Sequence, residues 1–149
     1  MAVRVQEADF DLGTEVARLT SGNTSIGALV TFTGLVRDLG GADAISALEL
    51  EHYPAMTAAA LERIEAEACA RWALQESLII HRYGRLEPGA QIMMVATAAP
   101  HRGDAFAAAE FLMDFLKSRA PFWKKEHGAD GARWVDARES DEAALNRWT

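Results

Sequence analysis

Two apolar runs, Ser77 to Tyr83 and Gln91 to Ala98, flank the tetrapeptide Leu86-Glu87-Pro88-Gly89. Pro-Gly is turn chemistry, so these runs predict a hairpin of neighbouring antiparallel strands. The rest of the chain has to be arranged around that pair. Ile26 to Val36 reads as a further strand, rich in β-branched and aromatic residues at Val30-Thr31-Phe32-Thr33. Gly34 inside it marks a bulge or the close approach of another group. In Ala47 to His52, Leu48, Leu50 and His52 share one face, which predicts a half-exposed strand. Val3 to Gln6 is a short strand candidate.

Helical signals lie between these runs. Pro54 suits a helix start, and Ala60, Ile64, Ala68 and Trp72 recur at helical spacing among charged residues. Gly103 to Lys117 is apolar nearly all round and predicts a buried helix. Asp11 to Thr20 is a shorter helix weakened by Gly13. Pro121 is expected to break regular structure after that helix. Trp134 to Ala137 reads as a last strand, and Ser140 as the cap of a terminal helix through Trp148. Ser21-Gly22-Asn23 and the glycine-rich stretch Asp38 to Asp43 read as loops. Regular βαβ alternation is absent. The expected class is α+β, with a mostly antiparallel sheet and two main helices.

With 149 residues, half of them apolar, the chain is expected to form one domain over residues 1–149. Cys69 is the sole cysteine, which excludes an intrachain disulfide and any multi-cysteine metal site. No apolar run has the length of a membrane span, and the first ten residues lack the apolar core of a signal peptide. A soluble, cytoplasmic protein with no membrane partner is expected. Fifteen basic residues against 22 acidic give a net charge of −7, so nucleic acid is not an expected partner. Against that balance, Lys117, Arg119, Lys124 and Lys125 fall within nine residues that contain no acid. A small cationic patch on an acidic chain points to a compact anion.

Familiar catalytic signatures are missing: there is no phosphate-binding G-x-x-x-x-G-K-[ST] and no G-x-S-x-G. His52, His81, His101 and His127 show no metal-ligand spacing, so no metal site is expected. No cofactor is expected either. Cys69 lies beside the stripe of the middle helix and reads as a packing residue. Lys117 has two readings. A lysine in a last helical turn complements the macrodipole; a lysine held by an apolar helix in a partly desolvated pocket becomes a base or nucleophile. Lys124 comes after Pro121-Phe122-Trp123, and is either a solvated loop residue or part of a clamp for a flat anionic heterocycle. Pro100-His101-Arg102-Gly103 is either a phosphate site at a helix N-terminus or a turn capped by Asp104. Arg37 lies just past the strand that ends at Val36.

Taken together these clusters resemble a known family. Thr31-Phe32-Thr33-Gly34-Leu35-Val36-Arg37 resembles the T-F-x-G-x-V-R signature of the large, catalytic subunit of molybdopterin synthase. Leu50-Glu51-His52-Tyr53-Pro54-Ala55-Met56, His81-Arg82-Tyr83-Gly84 and His101-Arg102 are similar to further blocks of that family. So are Leu116-Lys117-Ser118-Arg119-Ala120-Pro121-Phe122-Trp123-Lys124-Lys125-Glu126, Arg133-Trp134-Val135 and Ala137-Arg138-Glu139-Ser140. The matches run in order from residue 26 to residue 148, and the first 25 residues carry none.

The resemblance implies an α/β-hammerhead type of α+β fold. It implies sulfur transfer to cyclic pyranopterin monophosphate, making the molybdopterin dithiolene. The sulfur donor would be the C-terminal Gly-Gly thiocarboxylate of a small ubiquitin-like carrier subunit, with this chain as a homodimer inside a heterotetramer. Lys117 matches the family's catalytic lysine and Lys124 its second active-site lysine. Arg37, His101 and Arg102 match pterin- or phosphate-binding positions, Lys125 and Glu126 lie in the same substrate-contacting segment, and Arg138 is a further binding candidate. Leu35 and Pro100 depart from the pattern. A site shared between two copies is also expected. Arg102 and Lys117 bracket one predicted helix, and 15 residues at 1.5 Å rise set them about 22 Å apart. Two other readings stay open, a non-catalytic module binding a pterin or nucleotide phosphate and a scaffold docking an acidic partner.

Overall fold

The computed structural model describes residues 2–38, 40–41, 44–135 and 139–148. Among the described residues, eight strands and four helices run in the order β1 (Ala2–Gln6), α1 (Leu12–Thr20), β2 (Ala28–Leu35), β3 (Ile45–His52), α2 (Pro54–Arg71), β4 (Glu76–Arg82), β5 (Gly84–Leu86), β6 (Gln91–Ala99), α3 (Arg102–Ser118), β7 (Phe122–Gly128), β8 (Gly131–Val135) and α4 (Glu139–Asn146). The class is α+β, and α2 and α3 are the two main helices at 18 and 17 residues.

The strands form two four-stranded sheets where the sequence suggested one. The first has the order β1-β4-β6-β2; β1 and β4 run parallel and the other pairs antiparallel. Its centre is the expected hairpin, Leu78 facing Ala96 and Ile80 facing Met94. The second has the order β5-β3-β7-β8 and is antiparallel throughout. β5 was not legible, because three residues leaving the hairpin to join another sheet carry no periodic signal. The expected bulge is present: the β2–β6 register slips between Gly34 and Leu35.

The pleat of the first sheet divides the core. Ile79, Met93 and Val95 meet Leu61, Ile64 and Ala68 of α2 and Phe111, Leu112 and Leu116 of α3. Leu78, Ile80, Met94 and Ala96 face Phe10, Leu12 and Leu19 around α1. Both faces are covered, which is why β4 and β6 read as continuous apolar runs. A third cluster, Val36, Leu48, Leu50 and Leu86, underlies the second sheet. Asp11 caps α1 by accepting from Thr14 N at 2.8 Å, and Pro54 sits in the first turn of α2.

Several boundaries differ from expectation. α3 is amphipathic, not buried all round, with Phe106 and Lys117 exposed. His101 is its N-cap residue and makes no side-chain cap bond. Asp104 does not cap the helix; its Oδ2 accepts from Ala73 N at 3.2 Å. Pro121 does not end regular structure, since β7 starts immediately after it, beyond the point where its missing N–H matters. β8 begins three residues before the expected Trp134. Ser140 lies within α4 and does not precede it. Ala137, Arg138 and, in the glycine-rich loop, Leu39, Ala42 and Asp43 lie outside the described residues.

Candidate active site

An open cavity of about 890 Å³ lies where the end of β2, the C-terminal turn of α3, strand β7 and the start of α4 meet. That volume is in the range of small-molecule sites. Period-2 alternation along β7 turns Phe122, Lys124 and Glu126 into the cavity. Lys117 and Ser118 enter from α3, Arg37 from beyond β2, and Ser140 and Asp141 from α4. Lys117 and Lys124, seven residues apart in sequence and on different elements, thus converge on one space.

The cavity mixes cations with unmet acceptors. Ser118 Oγ and Glu126 Oε2 are buried and form no hydrogen bond within the described residues. Glu126 Oε2 has one distant ion-pair neighbour, Arg133 Nη2 at 3.5 Å. Lys117 is exposed at the rim, so the desolvated-pocket reading does not hold for the chain by itself. Any exclusion of water there comes from what enters the cavity.

His81 also lines the cavity, and sequence reasoning gave it no role. It is 4% exposed and stacks on Phe122, ring centroids 3.7 Å apart. Its Nδ1 is 2.8 Å from the Arg82 carbonyl oxygen. Burial, with the Lys124 and Lys117 charges adding to it, pushes the imidazole down to about 4. Besides the family block His81-Arg82-Tyr83-Gly84, the signal in the sequence was strand alternation, which puts His81 on the same face as Ile79 and so toward α2 and α3.

The other candidate residues are placed elsewhere. His101 and Arg102 are exposed at the far end of the unbroken α3 and do not line the cavity. Lys125 projects from the opposite face of β7, its ammonium 5.1 Å from the Trp134 ring centroid. Arg138 lies outside the described residues. Among the described residues no cluster of His, Cys, Asp and Glu could hold a metal, and no helix is long and apolar enough to cross a membrane. Cys69 is half-buried beside Ser77, and burial pushes its thiol up, which suits packing and not nucleophilic attack.

A family model described as "MoaE protein" matches residues 5–119. The chain belongs to the MoaE family. The molybdopterin synthase catalytic subunit of Cereibacter sphaeroides is 61% identical over 148 residues, covering 99% of this chain and all of the relative. A solved structure, the molybdopterin biosynthesis MoaE protein of Burkholderia ambifaria, superposes with a TM-score of 0.83 at 59% identity, covering 99% of this chain and 98% of that one. At 19% identity the fold is shared with a Helicobacter pylori chain solved in a protein–protein complex of subunits 1 and 2 of molybdopterin-converting factor. That match has a TM-score of 0.73 and covers 92% and 90% of the two chains. MoaE-family chains are the catalytic subunits of molybdopterin synthase, an enzyme that transfers sulfur to form the molybdopterin dithiolene.

Proposed function

We propose that this chain transfers sulfur from the thiocarboxylated Gly-Gly terminus of a small ubiquitin-like carrier to cyclic pyranopterin monophosphate. Lys117 and Lys124 are its catalytic residues. The supporting observation is the convergence of these two lysines, with Arg37, on one open cavity of about 890 Å³. Both reactants are anions, a phosphate and a thiocarboxylate. Bringing them together in a confined space requires fixed cations, which a chain of net charge −7 supplies only locally. Arg37 and Lys124 bind and orient the pterin phosphate by charge-assisted hydrogen bonds. Lys117 stabilises the charge that develops as sulfur adds. Glu126, its Oε2 without a hydrogen-bond partner, accepts from the N–H edge of the pterin.

The remaining binding residues, His101 and Arg102, belong to a second copy in this proposal. α3 is continuous from Arg102 to Ser118, so its two ends cannot reach one pterin phosphate in one chain. A two-fold homodimer gives each cavity the Arg102 end of the neighbouring α3, and with two carriers it makes a heterotetramer. Lys125 and Arg138 keep a substrate-binding role in this proposal, and the reaction takes place in the cytoplasm.

The test is reconstitution. The purified chain, a carrier bearing a C-terminal thiocarboxylate and the cyclic pterin should yield molybdopterin with no added metal. Binding of pterin or carrier without turnover would replace the enzyme with a phosphate-binding module or a docking scaffold.

A further inference from the structure

Among the described residues that line the cavity, His81 is an ionisable side chain with no task in charge neutralisation. It reaches the cavity from β4, held on both sides by named contacts. Its Nδ1 lies 2.8 Å from the Arg82 carbonyl oxygen. A carbonyl only accepts, so Nδ1 carries the proton and donates it. A neutral imidazole has one such proton, and Nε2 therefore keeps its lone pair. Phe122 covers the ring with planes 16° from parallel, which fixes the ring plane. Phe122 and Lys124 are two residues apart on β7 and project from the same side of the strand. The stack thus sets the His81 ring beside the position from which Lys124 extends.

We propose that His81 is a positioning residue for sulfur transfer: its bare Nε2 accepts a hydrogen bond from the Lys124 ammonium and holds that cation toward the bound substrates. The proposal rests on the reading of the cavity as the sulfur-transfer site. An ammonium has three N–H donors to place, and an anionic substrate approaches from one side only. Carboxylates would hold it equally well, and Glu126 and Asp141 share the cavity. A carboxylate, however, cancels the charge that the substrates need, whereas a neutral acceptor fixes the ammonium and leaves the charge intact. Among the described residues, the charged and titratable groups around His81 are Lys117 from α3, Lys124 and Glu126 from β7, Arg37 from beyond β2, Asp141 from α4 and His52 from β3. The two lysines act with burial to hold the imidazole at about 4, so it stays an acceptor at neutral pH and never becomes a third cation.

Three substitutions in the assembled enzyme separate this role from packing. His81→Phe keeps the ring against Phe122 and removes both nitrogens. His81→Gln restores an acceptor near the Nε2 position, and His81→Asn restores only a donor near Nδ1 for the Arg82 carbonyl. His81→Phe should lower kcat on the order of 10- to 100-fold with a smaller change in KM for the pterin. It should also move the alkaline limb of the pH–rate profile to lower pH, because the ammonium has lost an acceptor. His81→Gln should recover much of the rate and His81→Asn little. In the wild-type protein, ¹⁵N spectra of the imidazole should show a protonated Nδ1 and a bare Nε2 at neutral pH. Rescue by Asn instead of Gln, an unshifted pH profile, or a protonated Nε2 would overturn the proposal. Lys117→Ala in the same assay keeps the two claims apart. Full turnover there removes the cavity as the sulfur-transfer site, and this proposal with it. Loss there, with none in His81→Phe, removes only this one.

Discussion

The imidazole of His81 lies face to face with the ring of Phe122, centroids 3.7 Å apart. The burial of that imidazole makes stability depend on pH. His81 moves from 6.5 to about 4 on folding, so between those values the unfolded chain binds the extra proton. Stability from this residue is fully present above 6.5 and is lost as pH falls toward 4. The loss is on the order of 3 kcal/mol. Glu65, which burial pushes up, works in the opposite sense, since its protonation favours the folded state. Comparing wild type with His81→Phe cancels the Glu65 contribution. Chemical denaturation at pH 6.5 and pH 4 should show the variant losing less stability than wild type by roughly 2–3 kcal/mol.

Lys117 is exposed at the cavity rim, and its side chain carries no part of the core. Lys117→Ala should therefore leave the melting temperature within the small range of surface substitutions while molybdopterin formation falls to background. Lys124→Ala should also be severe, with a larger share of the effect in KM. Steady-state kinetics beside a thermal melt reads both, and near-wild-type turnover of Lys117→Ala would remove its catalytic assignment.

Gly27 approaches the turn that carries His101 and Arg102. Its N–H donates to the Ala99 carbonyl at 3.1 Å, and a Cβ placed on it would stand 2.0 Å from the Pro100 carbonyl oxygen. Backbone has to move to accept even a methyl group. Gly27→Ala should cost about 1–3 kcal/mol in denaturant unfolding. Because the displaced carbonyl immediately precedes His101, pterin KM should rise as well. An unchanged KM together with a full stability loss would show that the turn does not bind substrate.

How much of the fold was legible in the sequence depends on which side chains each element buries. Ile79, Ile80, Met94 and Val95 are fully buried, so β4 and β6 announced themselves by composition. Strand β7 did not, because the face it turns into the cavity is Phe122, Lys124 and Glu126, and polar site residues erase the apolar alternation that marks a strand. The same omission put Lys124 and Lys125 side by side, whereas the pleat sends them to opposite faces. His81 stayed hidden because a histidine after Leu78-Ile79-Ile80 reads as core, whereas in the fold it lines the cavity beside Phe122. The separation of Arg102 from Lys117 was legible, since it needs only helix rise and an uninterrupted helical run.

On the proposed function, a carrier tail enters beside Lys117 and Lys124 for sulfur to reach the pterin. Gly-Gly is the thinnest chain available, and a side chain at the last position would compete with the pterin for the same cavity. A carrier whose terminal glycine is replaced by leucine, still bearing its thiocarboxylate, should react at least ten-fold more slowly (a loss of about 1.4 kcal/mol or more in transition-state stabilisation). Transfer at the normal rate in single-turnover measurements would show that the tail does not insert.

Arg102 begins α3 and Lys117 lies one residue from its end, with the hydrogen-bonded run unbroken between them. Fifteen residues at helical rise separate them by about 22 Å, more than a pterin monophosphate spans. If both ends serve one substrate, they come from different copies. A two-fold arrangement then makes two equivalent sites, each taking Lys117 from one chain and Arg102 from the other. Arg102→Ala alone disables both sites, and so does Lys117→Ala alone. In a mixed dimer the two defects fall together in one site, and the other site is wholly wild type. Co-assembled variants should therefore regain activity, up to half the wild-type rate per mixed dimer. Differently tagged chains allow the mixed species to be isolated before assay. If folded, verified mixed dimers of two inactive variants show no recovery, each cavity works within one chain, and His101 and Arg102 serve only the end of their own helix.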